Sequence, residues 1–322
     1  LLFQRPYNLF TEKHIRDSRE YYVTSKDTKK IMSKKIHKAV FPAAGFGTRF
    51  LPATKAIPKE MLALVDKPLI QYGVEEALAA GVDEIIIITS RGKSAIEDHF
   101  DMSPELEWSL EERGKTELLE LTRKVSTMVH VSYVRQKEPL GLGHAVLQTR
   151  DMVGDEPFAV ILPDDIIDAA TPCLKQMADV FNEVQSSVLA TQVVEGPAIS
   201  SYGVLDCDPV AGNPRLLAVK ALVEKPKPAD APSKNAIIGR YILTPHIFEL
   251  LERIPKGAGG ELQLTDGIKG LLDTEKVFGY TFEGKRYDAG DKAGMLQATI
   301  DFALKRSDLG PGLREYMKQI KL

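Results

Sequence analysis

The chain has 322 residues, of which 43% are hydrophobic, enough for one large α/β domain with insertions or two ordinary ones around a substantial core. Its 42 Lys and Arg against 45 Asp and Glu give a formal net charge of -3, which excludes a global basic field for nucleic acid or anionic lipid, so any phosphate site must be local. Cys173 and Cys207 make no disulfide framework and show no metal-ligand spacing, no apolar run approaches a membrane span, and residues 1–31 are polar and charged rather than signal-like, so the expected location is the reducing cytoplasm.

Residues 1–31 carry no clear period, and Met32-Ser33-Lys34-Lys35 then precedes the first apolar run as a translation start would. The expected organisation is an N-terminal extension over 1–31, outside the core, and a single domain over 32–322. The competing reading makes the extension a native arm that packs on a neighbouring subunit. Next, Ala39-Val40-Phe41 enters a small-residue turn, PAAGFGTR from Pro42 to Arg49, with Lys55 and Lys59 close behind. Small residues let a backbone approach a ligand, and consecutive N–H groups in such a turn can cradle an anion. Two unit charges about 4 Å apart interact by roughly 4 kcal/mol at an effective dielectric of about 20, so Arg49, Lys55 and Lys59 would matter to a polyphosphate. The stretch has no GxxxxGK[ST], and Phe50 stands where GxGxxG needs its last glycine, which argues against a P-loop NTPase and a dinucleotide dehydrogenase. By itself the turn stays open between a phosphate site and a glycine turn edged by surface lysines.

Pro68 to Ala80 has helical apolar spacing with Gly81 as a stop, and Asp83 to Thr89, with its run of isoleucines, reads as a strand buried on both faces. Strand, helix, strand implies a parallel sheet. Residues 94–124 form a charged helical excursion on the rim, Val129 to Arg135 a strand, 136–143 a loop and Ala145 to Arg150 a helix. Phe158 to Leu162 is another buried strand, with Pro163-Asp164-Asp165 at its carboxyl end, where open sheets bind ligands; the acids suit a cation or the cap of a following helix. Beyond lie strands at 188–194, 204–206, 216–223 and 237–243, and helices at 245–253, 263–273, 292–306 and 313–320. With no repeat and no low-complexity linker, the halves 32–165 and 166–322 should share one sheet.

The wording PAAGFGTRFLPATKAIPKEMLALVDKPLIQY is similar to the signature of the sugar-1-phosphate nucleotidyltransferases, a GxGTRL-like loop followed by a basic PK segment. The resemblance runs from about Lys38 to about Tyr316 through GLGHAV at 141–146, ILPDD at 161–165, YGVLDCD at 202–208, VEKPK at 223–227, AIIGRYIL at 236–243 and GGELQLTDGI at 259–268. It implies a Rossmann-like, three-layer α/β fold with a mixed, mostly parallel central sheet, a nucleotide-binding half over 32–165 and a sugar-binding half over 166–322. The block wording is nearest to the members that turn UTP and α-D-glucose 1-phosphate into UDP-glucose and pyrophosphate with Mg²⁺. The substrate supplies the nucleophile in that chemistry, so the protein need only align groups and neutralise charge. The six histidines show no metal-type local pairing.

Carried over residue by residue, the resemblance implies that Ala44 and Gly45 meet the nucleotide through the backbone and that Arg49 and Lys59 hold its phosphates. Glu60, Gln136 and Gly141 would read the uracil edge, which needs both donors and acceptors. Asp164 would hold Mg²⁺, with Asp288 in RYDAG as second carboxylate. Tyr202, Gly203 and Gly239 would line the sugar pocket, Glu224 would take glucose hydroxyls and Lys225 the sugar phosphate. Without the resemblance, Glu60 is equally a helix-surface acid and Glu224-Lys225 a strand-end ion pair. The resemblance also implies a homodimer or homotetramer. The same fold using dTTP or ATP, a non-catalytic nucleotide-sugar binder and a glycosyltransferase with a DxD-type metal site are the alternative readings.

Overall fold

A computed structural model describes residues 35–257 and 260–320, so the expected extension over 1–31 lies outside the described residues. Strand β1 (Lys38–Pro42) opens the core, the short pair β2 (Ala63–Leu64) and β3 (Lys67–Pro68) follows the basic segment, and helix α1 (Leu69–Ala79) leads into β4 (Glu84–Thr89). Helices α2 (Ser94–Phe100), α3 (Pro104–Glu112) and α4 (Thr116–Thr127) form the excursion before β5 (His130–Arg135). Then come α5 (Leu142–Leu147), α6 (Arg150–Val153), β6 (Phe158–Ile161), β7 (Asp165–Asp168), α7 (Cys173–Val184) and β8 (Ser187–Val193). The later part holds β9 (Gly203–Val210), β10 (Asn213–Glu224), β11 (Asn235–Leu243), α8 (His246–Arg253), α9 (Leu264–Leu271), β12 (Val277–Thr281), β13 (Lys285–Asp288), α10 (Lys292–Lys305) and α11 (Gly310–Gln319).

Among the described residues one 9-stranded sheet runs in the order β5-β4-β1-β6-β11-β8-β12-β10-β9. Period-2 alternation explains its two-sided burial: Ile85 and Ile87 of β4 enter the core shared with α1, α2 and α7, while Ile86 and Ile88 enter that of α5, α8 and α9. All four isoleucines are fully buried, and each contributes roughly 1.5–3 kcal/mol of transfer free energy.

The expectation of a mostly parallel sheet is corrected by the strand directions. Pairs β5/β4, β4/β1, β1/β6 and β8/β12 are parallel, but β6/β11, β11/β8, β12/β10 and β10/β9 are antiparallel. Residues 38–161 follow strand-helix-strand crossovers, whereas β9 and β10 are joined by a tight hairpin that the apolar pattern alone does not orient. The helix expected from Ala145 begins at Leu142, directly after Gly141, whose φ of 103° turns the chain into it. Asp165 starts β7 rather than capping a helix. Helix α7 and strands β12 and β13 were not anticipated; α7 does carry a legible apolar face in Cys173, Leu174, Met177 and Phe181.

Where the two kinds of pairing meet, at β6/β11, sits Arg240, 1% exposed. It grips Glu76 of α1 with two bonds, Nε to Oε1 at 3.1 Å and Nη2 to Oε2 at 2.9 Å. Its remaining hydrogens go to the carbonyls of Leu162 (3.1 Å), Gly239 (3.0 Å) and Asp165 (2.7 Å), so every N–H of the guanidinium has a partner. Glu76 Oε1 also accepts from the Leu174 N–H at 2.9 Å, which pins the start of α7. Removing one partner of such a pair leaves a buried charge unmatched. Arg240→Met should therefore lower unfolding stability by about 3–5 kcal/mol, seen as a lower urea midpoint at unchanged slope; a loss below about 1 kcal/mol would contradict this role.

Candidate active site

The parallel strands β1, β4, β5 and β6 release their carboxyl ends on one edge, the edge where open α/β sheets bind ligands. Backbone bonds extend the ladder past the strand ends: Ala43 N–H donates to Ile88 O at 2.9 Å, and Gln136 N–H to Thr89 O at 2.9 Å. The basic turn is thereby held against its neighbours, and Ser90 Oγ donates to Ala44 O at 3.1 Å. At its far end Gly47, with φ of 65°, opens the short 3₁₀ turn Thr48–Phe50 that carries Arg49. A second such turn, Lys59–Met61, carries Lys59 and Glu60.

Two cavities open on this edge and share Leu142, Leu162, Asp164 and Glu261. The first, of about 450 Å³, is lined by Ala44, Gly45, Lys59, Gln136 and Gly141, which are five of the residues expected to meet the nucleotide. The second, of about 530 Å³, is lined by Tyr202, Gly203, Glu224, Lys225 and Gly239, all of them expected at the sugar. Arg49 and Asp288 line the second cavity as well, and Asp164 stands in the wall common to both. Glu60 lines neither: it is fully buried. Lys93 Nζ donates to its Oε2 at 2.7 Å, and its Oε1 has no hydrogen-bond partner. Burial raises the affinity of Glu60 for a proton against the opposing charges of Lys93 and Lys59.

At the shared wall Lys59 Nζ donates to Asp164 Oδ2 at 2.5 Å. Burial favours the neutral forms, yet the mutual charge and hydrogen bond hold Asp164 below the usual carboxylate range and Lys59 above the usual lysine one. A Cβ built on Gly290 would stand 2.7 Å from Asp164 Oδ2 and 3.0 Å from Asp288 Oδ1, so both carboxylates converge on one small-residue cradle. Two carboxylates beside a cavity edged by a basic turn would be an appropriate donor set for a hard cation such as Mg²⁺. Among the described residues no cluster of His, Cys, Asp and Glu offers a larger protein-only set.

The loop over 136–141 is ordered by its own polar groups. Gln136 Nε2 lies 3.2 Å from Gly141 O and 2.9 Å from His144 Nδ1, and burial lowers the proton affinity of His144, so its neutral ring accepts that bond. Gly141 and Gly143 dock the segment after Gly260, with Gly143 N–H donating to Leu262 O at 2.8 Å and Leu262 N–H to Leu140 O at 2.7 Å.

In the second cavity Gly239 has no space for a side chain, since a Cβ would lie 2.4 Å from Asp165 Oδ2 and 2.7 Å from Leu162 Cβ. Its N–H donates to that same Asp165 oxygen at 3.0 Å. Glu224 Oε2 accepts from Thr265 Oγ1 at 2.7 Å, and Glu224 Oε1 lies 3.2 Å from Lys225 Nζ. Lys225 itself has a φ of 47°, a left-handed conformation unusual for a side chain of its kind, held by its N–H on Tyr202 O at 3.0 Å.

Three residues of this region escaped the sequence reading. Thr265 lies in the ELQLTD block and Arg286 stands two positions before Asp288, so alternation along β13 was a usable signal for the latter. Lys93 had none: it is one of two cations, with Arg91, in a short loop, and only the fold brings it to Glu60.

Comparison with known proteins matches the family described as nucleotidyl transferase over residues 38–304. The UTP--glucose-1-phosphate uridylyltransferase of Bacillus subtilis (strain 168) is 54% identical over 285 residues, 88% of this chain and 97% of the relative. A UTP--glucose-1-phosphate uridylyltransferase 2 of Staphylococcus saprophyticus is 50% identical over 289 residues, 90% of this chain and 99% of the relative. Among solved structures, a UTP-bound UGPase from Acinetobacter baumannii superimposes with a TM-score of 0.83 at 40% identity, covering 89% of this chain and 100% of that one. A UDP-glucose pyrophosphorylase complexed with UDP-glucose gives a TM-score of 0.77 at 44% identity, covering 84% of this chain and 100% of that one. The chain belongs to the nucleotidyl transferase family.

Proposed function

We propose that this protein transfers UMP from UTP to α-D-glucose 1-phosphate, giving UDP-glucose and pyrophosphate. The observation that carries the reading is the junction of the two cavities at Asp164, with the basic turn on one side and the Glu224-Lys225 corner on the other. Relatives named for this reaction at 54% and 50% identity support it. The fold reading that goes with it is a Rossmann-like nucleotide half, with β5, β4, β1 and β6 in the order expected of a doubly wound sheet.

The chemistry follows from the placement. Lys225, on the strained turn, would hold the sugar phosphate so that one of its oxygens faces the α-phosphorus in line with the departing group. A new phosphorus–oxygen bond forms as the bond from the α-phosphorus to the bridging oxygen breaks, and its electron pair leaves on pyrophosphate. Arg49 and Lys59 would neutralise the triphosphate and the charge that gathers on the leaving group. Gln136 and the Gly141 loop would meet the base, with Glu60 acting from beneath the surface. Asp164 and Asp288 would hold Mg²⁺, which supplies charge neutralisation between the phosphates. No acid or base is demanded of the protein, because the attacking phosphate is already an anion.

Pyrophosphate release from purified protein with Mg²⁺ and glucose 1-phosphate, offered UTP, dTTP, ATP, CTP and GTP separately, should be fastest with UTP; a preference for another nucleotide would overturn the base assignment. Asp164→Ala should cut turnover by about 10²–10³-fold while circular dichroism stays unchanged; near wild-type turnover would remove Asp164 from the site. Lys225→Gly should separate stability from activity. It relieves a left-handed residue and should raise unfolding stability by about 1 kcal/mol, while turnover falls by about 10²-fold or more because the cation is gone.

A further inference from the structure

Arg286 lines the second cavity yet is only 10% exposed along its side chain, and the proposed reaction as described leaves it without a role. We infer that Arg286 is a positioning residue of the sugar-phosphate subsite, which sets the Tyr202 hydroxyl as a hydrogen-bond donor to the bound sugar phosphate and fastens that wall to the turn at Asp165. The inference rests on the reading above, in which this cavity takes the sugar phosphate.

The backbone places Arg286 for this. Strands β7 and β13 form an antiparallel ribbon in which Asp165 faces Asp288 and Ile167 faces Arg286. Ile166 and Tyr287 turn to the other side, into a small core with Leu64, Leu69 and Ala298. The polar face of the ribbon is thus backed by packed apolar side chains and projects into the cavity.

Each edge of the guanidinium has a distinct partner. Nε donates to Asp165 Oδ1 at 2.5 Å and Nη2 makes a further ion pair with that oxygen. Nη1 donates to the Tyr202 hydroxyl at 2.8 Å, the guanidinium carbon lies 5.2 Å from the centre of the Tyr202 ring, and Nη2 is 3.7 Å from Asp288 Oδ2. Asp165 passes the connection on, its second oxygen accepting from Gly239 N–H at 3.0 Å, and Tyr202 O accepts from Lys225 N–H at 3.0 Å. One planar cation therefore links Gly239, Tyr202 and Lys225, three residues of the proposed sugar subsite.

The direction of the Tyr202 bond decides its chemistry. A guanidinium can only donate, so the phenol oxygen accepts from it, and the phenol hydrogen is left to point at an acceptor. The acceptors that a sugar phosphate offers are hydroxyl and phosphate oxygens. A lysine at position 286 could neutralise Asp165 but could not serve Asp165 and Tyr202 together from one planar fork.

The test is steady-state kinetics of Arg286→Lys, Tyr202→Phe and the double variant beside the wild type, with thermal melts of all four. Tyr202→Phe leaves the Asp165 pair intact, so it keeps the test open if Arg286→Lys loses stability. Each single variant should raise KM for glucose 1-phosphate by about tenfold with KM for UTP within about twofold, and the double variant should be no worse than the poorer single. Unmoved KM for glucose 1-phosphate in an active wild-type background, an equal rise for UTP, effects that multiply to about a hundredfold, or lower melting temperatures with unchanged KM values would each overturn the inference. Wild-type protein that does not turn over this substrate pair would overturn the reading of the reaction and this inference with it, which separates the two failures.

Discussion

The buried pair between Arg240 and Glu76 is the interaction on which the placement of the site depends. An arginine without access to water is tolerable only when each donor is answered, and here the answers come from α1 and from the carbonyls of Leu162, Asp165 and Gly239. Leu162 and Asp165 flank Asp164. The guanidinium therefore sets the shape of the turn that presents Asp164, bonding from behind to residues that line the cavity. The same carboxylate that satisfies Arg240 also caps the first turn of α7, so helices and sheet are registered against the acid-bearing turn by one charge pair.

Around that turn the charges alternate. Lys93 faces Glu60, Lys59 faces Asp164, and Arg286 lies between Asp165 and Asp288. A pocket that is to take several phosphates, as proposed for this one, needs cations, yet bare cations close together would repel and carry unsatisfied donors. Pairing each with an internal carboxylate stabilises the ligand-free protein, and incoming phosphate oxygens then compete for donors already held near their working positions.

The sequence showed the first half of the domain, through β6, more clearly than the second, for physical reasons. In Ala39-Val40-Phe41, in the isoleucines of β4 and in α1, each residue's environment is fixed by neighbours near in sequence, so apolar periodicity reports the fold directly. The proportion of parallel strands was misjudged because hairpins and crossovers share the same apolar alternation. Among site residues, Ala44, Gly45, Gln136, Tyr202 and Gly239 were visible through ordered blocks of wording. Lys93 and Arg286 were not, since each acquires meaning from a partner distant in the chain: Glu60 for one, Asp165 and Tyr202 for the other. The burial of Glu60 was equally hidden, because a glutamate in a short basic turn gives no sign that the fold will close over it.

The change of strand direction at β6/β11 has a consequence for how such a protein can diversify. On the β1 side of that seam the strands are parallel and their loops line the first cavity, which under the proposed reaction would take the triphosphate, while strands beyond it supply most of the wall of the other cavity. Because one continuous sheet carries both, the spacing between the two reactants is inherited unchanged when loops on either side are rewritten. Acceptor choice and donor choice can thus drift separately, each under its own selection, while the distance across which the bond must form is kept by the backbone.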